Sequence, residues 1–209
     1  MPAKPVLAIR LFTSAALATV LALSVAGCKT TGEDLITGSV TAPETPLTDA
    51  EWRRSLGVWG GRYRENPADA TAAIGYARAL RATSQNAQAV AVLQQSAIRN
   101  PHNMPLLGEY GRALAEVGDY KQALDVLTRA HTPDNPDWRI LNAQGAVLDQ
   151  LGRYTEAQQH YAAALKIVPG EPSILSNLGL SYALTKDLPR AEATLRQALA
   201  RQRGEHVAD

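Results

Sequence analysis

Residues 104–137, MPLLGEYGRALAEVGDYKQALDVLTRAHTPDNPD, align without a gap on residues 138–171, WRILNAQGAVLDQLGRYTEAQQHYAAALKIVPGE. The frame continues forward to 172–205, PSILSNLGLSYALTKDLPRAEATLRQALARQRGE, and back to a weaker copy at 70–103, ATAAIGYARALRATSQNAQAVAVLQQSAIRNPHN. The four starts are each 34 residues apart. A fixed period of this length marks a supersecondary unit that buries its apolar face on its neighbours. The eighth position of a copy is small (Ala77, Gly111, Gly145, Gly179), and the twentieth is always alanine (Ala89, Ala123, Ala157, Ala191). Small side chains at these two places let a pair of helices cross closely. Large residues surround the crossing: Leu107, Leu141 and Leu175 at the fourth position, Leu80, Leu114, Leu148 and Tyr182 at the eleventh. Leu93, Leu127, Tyr161 and Leu195 follow at the twenty-fourth. Their spacing is that of helices, so the repeat predicts an all-α fold.

Punctuation agrees with that reading. Val117-Gly118-Asp119-Tyr120 and Leu151-Gly152-Arg153-Tyr154 fall between the two helices of a copy, where glycine ends a helix in the left-handed conformation. Pro101 and Pro169 fall where the second helix should stop. The pattern resembles the tetratricopeptide repeat (TPR), a helix–turn–helix unit whose copies stack into a solenoid. On that reading the repeats span 70–103, 104–137, 138–171 and 172–205. Residues 48–69 form an N-terminal helix, the second half of a degenerate copy, with Thr48 or Asp49 as its cap and Trp52 and Trp59 covering the first full repeat. The first copy departs from the others at Ala73 and Ser96. The last helix, LPRAEATLRQALARQRGE, is expected to be polar enough to serve as the terminal cap that stacked repeats need.

The resemblance implies a groove lined by the first helix of each copy. Its second, fifth, ninth, twelfth and thirteenth positions give Arg78 and Arg81, then Arg112 and Glu116, then Arg139, Asn142, Asp149 and Gln150. The fourth copy supplies Ser173, Ser176, Leu180 and Leu184, so the groove is basic and polar at one end and apolar at the other. An extended or helical peptide with an acidic portion and an apolar anchor suits such a surface. The fifth positions, Ile74, Gly108, Asn142 and Ser176, lack the groups with which chaperone-binding members of the family clamp a terminal carboxylate.

Ahead of the repeats, MPAKPVLAIRLFTSAALATVLALSVAGC opens with Lys4 and Arg10 and an apolar run from Leu11 to Val25. The run falls short of the ~20 residues that span a bilayer and reads as a signal peptide over residues 1–27. Val25-Ala26-Gly27-Cys28 resembles the bacterial lipobox. That resemblance implies fatty acylation, palmitate for example, on Cys28, and Lys29 after it implies sorting to the outer membrane, facing the periplasm. Several acyl chains on one residue, at ~0.8 kcal/mol per buried methylene, anchor far better than one. Residues 28–47, rich in Thr, Gly, Ser and Pro, read as a flexible tether.

Composition narrows the function. Twenty-one Lys and Arg stand against 20 Asp and Glu, with 5% aromatics, which excludes a dedicated nucleic-acid binder. The single cysteine excludes an internal disulfide or a multi-cysteine zinc site. No glycine-rich phosphate loop, GxSxG or HExxH occurs, and His131, Asp134 and Asp137 sit in a loop-like connection. The expectation is a protein that is not an enzyme and uses no cofactor, metal or small-molecule substrate. GRYRENPADATAAIGYARALR, ALDVLTRAHTPDNPDWRILNAQGAVLDQLGRYTEAQQHYAAALKI and PSILSNLGLSYALTKDLPRAEATLRQALA resemble the TadD-like lipoproteins of the tight-adherence (Flp) pilus system. That resemblance implies an adaptor for protein clients in pilus and secretin assembly. The alternatives in the same class are assembly of other outer-membrane proteins and scaffolding of peptidoglycan enzymes.

Overall fold

A computed structural model describes residues 48–204. The signal-peptide segment, Cys28 and the tether lie outside the described residues. Among the described residues nine helices run in chain order: α1 (Asp49–Glu65), α2 (Ala70–Ala82), α3 (Asn86–Arg99), α4 (Met104–Glu116), α5 (Tyr120–Thr128), α6 (Trp138–Gln150), α7 (Tyr154–Ile167), α8 (Pro172–Leu184) and α9 (Leu188–Gln202). The helices α2, α4, α6 and α8 start 34 residues apart and are 13 residues long each. Each packs on the helix after it, and α2, α4, α6 and α8 also touch one another in series. Among the described residues no helix is long and apolar enough to cross a membrane.

The repeat's small residues do what their spacing predicts. A Cβ on Gly111 would meet Leu127 at 2.5 Å, one on Gly145 would meet Tyr161 at 2.5 Å, and one on Gly179 would meet Leu195 at 2.7 Å. The eighth position is therefore the socket for the twenty-fourth of the same copy, and Ala89, Ala123, Ala157 and Ala191 are buried beside it. Capping follows the period as well. Asp69, Asn103, Asp137 and Glu171, the last residue before each first helix, accept hydrogen bonds from backbone N–H groups of the first turn. Thr48 caps α1: its hydroxyl accepts from the Glu51 N–H at 3.3 Å while the Glu51 carboxylate accepts from the Thr48 N–H at 2.6 Å.

The core divides at α6. Ile140 and Val147 belong to a cluster that runs back through Leu127, Leu107, Leu93 and Leu80 to Tyr63. Leu141 and Leu148 belong to a second cluster with Tyr161, Ile174 and Leu178. At the N-terminal end the Trp59 indole lies over Gly75, where any side chain would collide with it. Trp52 stands apart, beside Arg78 and Arg81 at the rim of a small cleft.

One element differs from the period. The spacing predicts a second helix in each copy of similar length, yet α5 ends at Thr128 after 9 residues, whereas α3 and α7 have 14 each. Pro133 and Pro136 explain this. Neither donates a backbone hydrogen bond, and each pushes the residue before it out of the helical region. The chain leaves α5 through short-range bonds from Arg129 and Ala130, then turns back with Asn135 N–H donating to the Thr132 carbonyl at 3.1 Å.

Candidate protein-binding groove

The groove side of α2, α4 and α6 is organised around a carboxylate that the repeat pattern does not single out. Glu109 of α4 has a side chain only 5% exposed. It accepts from Arg78 Nε at 2.8 Å and Nη2 at 2.5 Å, from Arg81 Nη1 at 2.9 Å and from Arg112 Nη2 at 2.8 Å. Arg81 also forks onto Glu116, with Nε donating at 2.8 Å. Burial works to raise the Glu109 pKa, but the guanidiniums of Arg112 and Arg78 outweigh it and hold the carboxyl below its ordinary range. Three of the groove arginines thus share two carboxylates, and their first job is to join α2 to α4. The sequence signal for Glu109 was present but faint: it stands at the sixth position of its copy, and the ninth position of the copy before, Arg78, faces it.

Arg139 is different. Its guanidinium carbon lies 4.5 Å from the centroid of the Trp138 ring. Among the described residues no carboxylate forms a salt bridge with it. Arg112 and Arg139 stand between two clefts. One, of about 560 Å³, opens toward Pro105, Gly108, Glu109 and the 130–137 connection. The other, of about 490 Å³, is walled by Ala115, Tyr120, Trp138, Ala143, Ala146 and Val147, with Glu116, Asn142, Gln150 and Asn177 at its polar edge. Five of the twelve groove residues expected from sequence (Arg112, Glu116, Arg139, Asn142 and Gln150) meet here, and Leu180 and Leu184 line an adjoining cleft with Asp149 and Gln150. Arg78 and Arg81 lie one helix back.

Two amides cross the second cleft. Asn177 Nδ2 of α8 donates to Asn142 Oδ1 of α6 at 3.0 Å. Among the described residues that leaves the Asn142 Nδ2 amide group and the Asn177 Oδ1 carbonyl available, the complement of an extended peptide backbone. Asp149 is committed elsewhere. It accepts from Tyr161 Oη at 3.0 Å and from Ser181 Oγ at 2.7 Å, tying α6 to α7 and α8. Burial pushes its carboxyl up against the opposing effect of those two hydroxyls, and burial likewise raises the Tyr161 phenol. Among the described residues no group of three or more His, Cys, Asp or Glu side chains is placed to hold a metal ion.

Two family models, each described as tetratricopeptide repeat, match residues 80–145 and 138–204, together more than half of the chain. The chain is an all-α tetratricopeptide-repeat solenoid. No curated protein sequence matches it. Among solved structures, the TPR domain superposes on PilW, a widely conserved type IV pilus biogenesis factor, with a TM-score of 0.68 at 16% identity, covering 77% of this chain and 73% of PilW. It is similar to MamA from Desulfovibrio magneticus RS-1 with a TM-score of 0.64 at 18% identity, covering 75% of this chain and 89% of that one. It is also similar to YrrB, a TPR protein with an unusual peptide-binding site, with a TM-score of 0.57 at 23% identity, covering 72% and 77%. At these identities the likeness is one of fold.

Proposed function

We propose that this TPR protein is a non-catalytic adaptor, anchored by lipid on Cys28 to the periplasmic face of the outer membrane. It captures a segment of a protein client and assists assembly of a pilus or secretion apparatus, as its resemblance to TadD-like lipoproteins implies. One observation carries the reading: the cleft between α4, α6 and α8 joins an apolar wall, a cation with no carboxylate partner among the described residues and a half-used amide pair in one place. A client segment that fits sets an apolar anchor against Trp138 and Tyr120, bonds its backbone to Asn142 and Asn177, and places an acidic side chain at Arg139. The biogenesis role of PilW and the peptide site of YrrB support the choice of a protein client and of this class of surface.

The test must spare the Glu109 cluster, because truncating Arg78, Arg81 or Arg112 also unties α2 from α4. Trp138→Ala combined with Arg139→Ala removes the anchor wall and the cation while leaving the Glu109 cluster intact, and because Trp138 also packs on the second core cluster, helical content and melting temperature are measured alongside. Affinity capture of the lipidated protein from membranes, read by mass spectrometry, should recover a secretin or another pilus-assembly subunit, and the double variant should lose it. Recovery of peptidoglycan enzymes or barrel-assembly proteins instead would move the assignment to those pathways. Capture that survives the double variant would remove the cleft from the account, and turnover of a substrate by the purified protein would overturn the adaptor reading.

A further inference from the structure

The two clefts that share Arg112 and Arg139 are not equivalent. The one between α4, α6 and α8 carries the apolar wall. The other, of about 560 Å³, is lined by Arg78, Arg112 and Arg139 together with Met104, Pro105 and Gly108 of α4. It opens at the first turns of α4 and α6, where the helix dipole favours negative charge. Cations outnumber acids around it. Arg78, Arg81 and Arg112 share Glu109 and Glu116, which leaves one positive charge uncompensated, and Arg139 adds a second. Glu109 takes Nε and Nη2 of Arg78 but only Nη2 of Arg112. Among the described residues Arg78 Nη1 and Arg112 Nε and Nη1 have no partner, and the two side chains stay 56% and 29% exposed. The remaining acid of the cleft, Asp137, is committed to capping α6, with Oδ1 accepting from the Arg139 N–H at 2.8 Å.

We propose that this cleft is a second carboxylate subsite, so that the client segment carries two acidic side chains beside its apolar anchor. One meets Arg139, and the other takes the unused N–H groups of Arg78 and Arg112. The inference deepens the client-capture reading and rests on it. Charge complementarity selects the occupant: two uncompensated guanidinium charges call for two carboxylates, and a single acid leaves one cation unmatched in the bound state. Guanidinium forks held by a buried carboxylate are already oriented, so a second acid gains charge-assisted hydrogen bonds at little ordering cost.

Fluorescence anisotropy of labelled ten-residue peptides on the full chain, with Cys28→Ser so that lipid is absent, tests this. The peptides are of serine and threonine with a Leu-Phe anchor and none, one or two aspartates before or after it, both ends blocked. In one of the two orders the doubly acidic peptide should bind roughly tenfold tighter than the singly acidic one, a gap that salt narrows. Two variants act on the cleft without touching Glu109. Asn135→Asp adds a negative charge to its lining, and Asp137→Asn removes one while keeping a capping side chain. The first should weaken and the second tighten the doubly acidic peptide, each by about threefold more than the singly acidic one. Equal affinity of the two peptides, or equal shifts of both in the variants, would overturn the second subsite and leave the Trp138 cleft standing. So would a gain from an unblocked terminal carboxylate but none from a second aspartate, which would assign the cleft to a chain end. Binding of no peptide up to about 1 mM, or binding that survives Trp138→Ala with Arg139→Ala, would overturn the capture reading beneath it.

Discussion

The fifteenth residue of every copy takes a left-handed backbone, with φ of 62° at Ser84, 86° at Gly118, 75° at Gly152 and 64° at Lys186. Side chains bearing a Cβ pay roughly 1–2 kcal/mol for that conformation, against about 0.5–1 kcal/mol of extra chain entropy that glycine loses on folding. Ser84→Gly and Lys186→Gly should therefore each stabilise the domain, by about 0.5–1 kcal/mol in urea unfolding; a loss in both would show that the turn relies on the side chain. Ser96 gives a second residue-scale expectation. It occupies the position held by Ala130, Ala164 and Ala198 elsewhere, and its buried hydroxyl has no hydrogen-bond partner among the described residues. Ser96→Ala removes an unsatisfied group at nearly constant volume and should raise stability by about 1 kcal/mol. The opposite sign is expected at Gly145, where alanine would strike Tyr161, itself held by Asp149: a loss of about 1–3 kcal/mol, while Gly57→Ala, with open space around it, should be neutral or stabilising. The left-handed turn was legible at Gly118 and Gly152 because glycine announces it. At Ser84 and Lys186 it was not, since neither residue prefers that conformation and only the structure shows it there.

At the scale of elements, the helix pairs were legible because one pattern of small and large residues recurs four times. The end of α5 was not, because two prolines inside a period overrode its register. The groove was half legible. Family positions pointed to the right helices, but one sequence position cannot reveal that its neighbour across a helix junction is an acid, so Arg78, Arg81 and Arg112 read as free cations. Their engagement with Glu109 has a thermodynamic signature. A carboxyl whose folded pKa is depressed contributes stability above its unfolded value of about 4.3, and that contribution is lost as pH falls through the folded value. His160 acts in a higher window. Burial first, and the nearby His131 next, hold its imidazole below the ordinary value. The unfolded chain then takes up a proton before the folded one does, so stability is lost as pH falls below about 6.5. A melting-temperature profile should fall in two steps on acidification. His160→Gln should flatten the upper step and Glu109→Gln the lower, with Glu109→Gln also costing roughly 1–3 kcal/mol at neutral pH by leaving Arg78, Arg81 and Arg112 underpaired. A lower step that persists in Glu109→Gln would mean other carboxylates govern acid unfolding.

For the solenoid as a whole, stability is a sum of helix pairs and the junctions between neighbours, and among the described residues no helix contacts one from a distant copy. Such a chain need not unfold in one step. Protection from hydrogen exchange should follow how much each pair buries on both sides. The middle pairs are enclosed: α4 alone buries eight residues, including Leu106, Leu107, Tyr110 and Leu114. The final helix fully buries only Ala191 and Ala198; Leu195 is half-buried against Gly179, and Leu188 and Leu199 face solvent. Amides of α8 and α9 should therefore exchange through local opening at a free energy well below that of α2–α5, with α6, which joins the two core clusters, in between. Native-state exchange measured residue by residue checks this. A single opening free energy from α1 to α9 would show that the junctions are strong enough to make the array one cooperative unit.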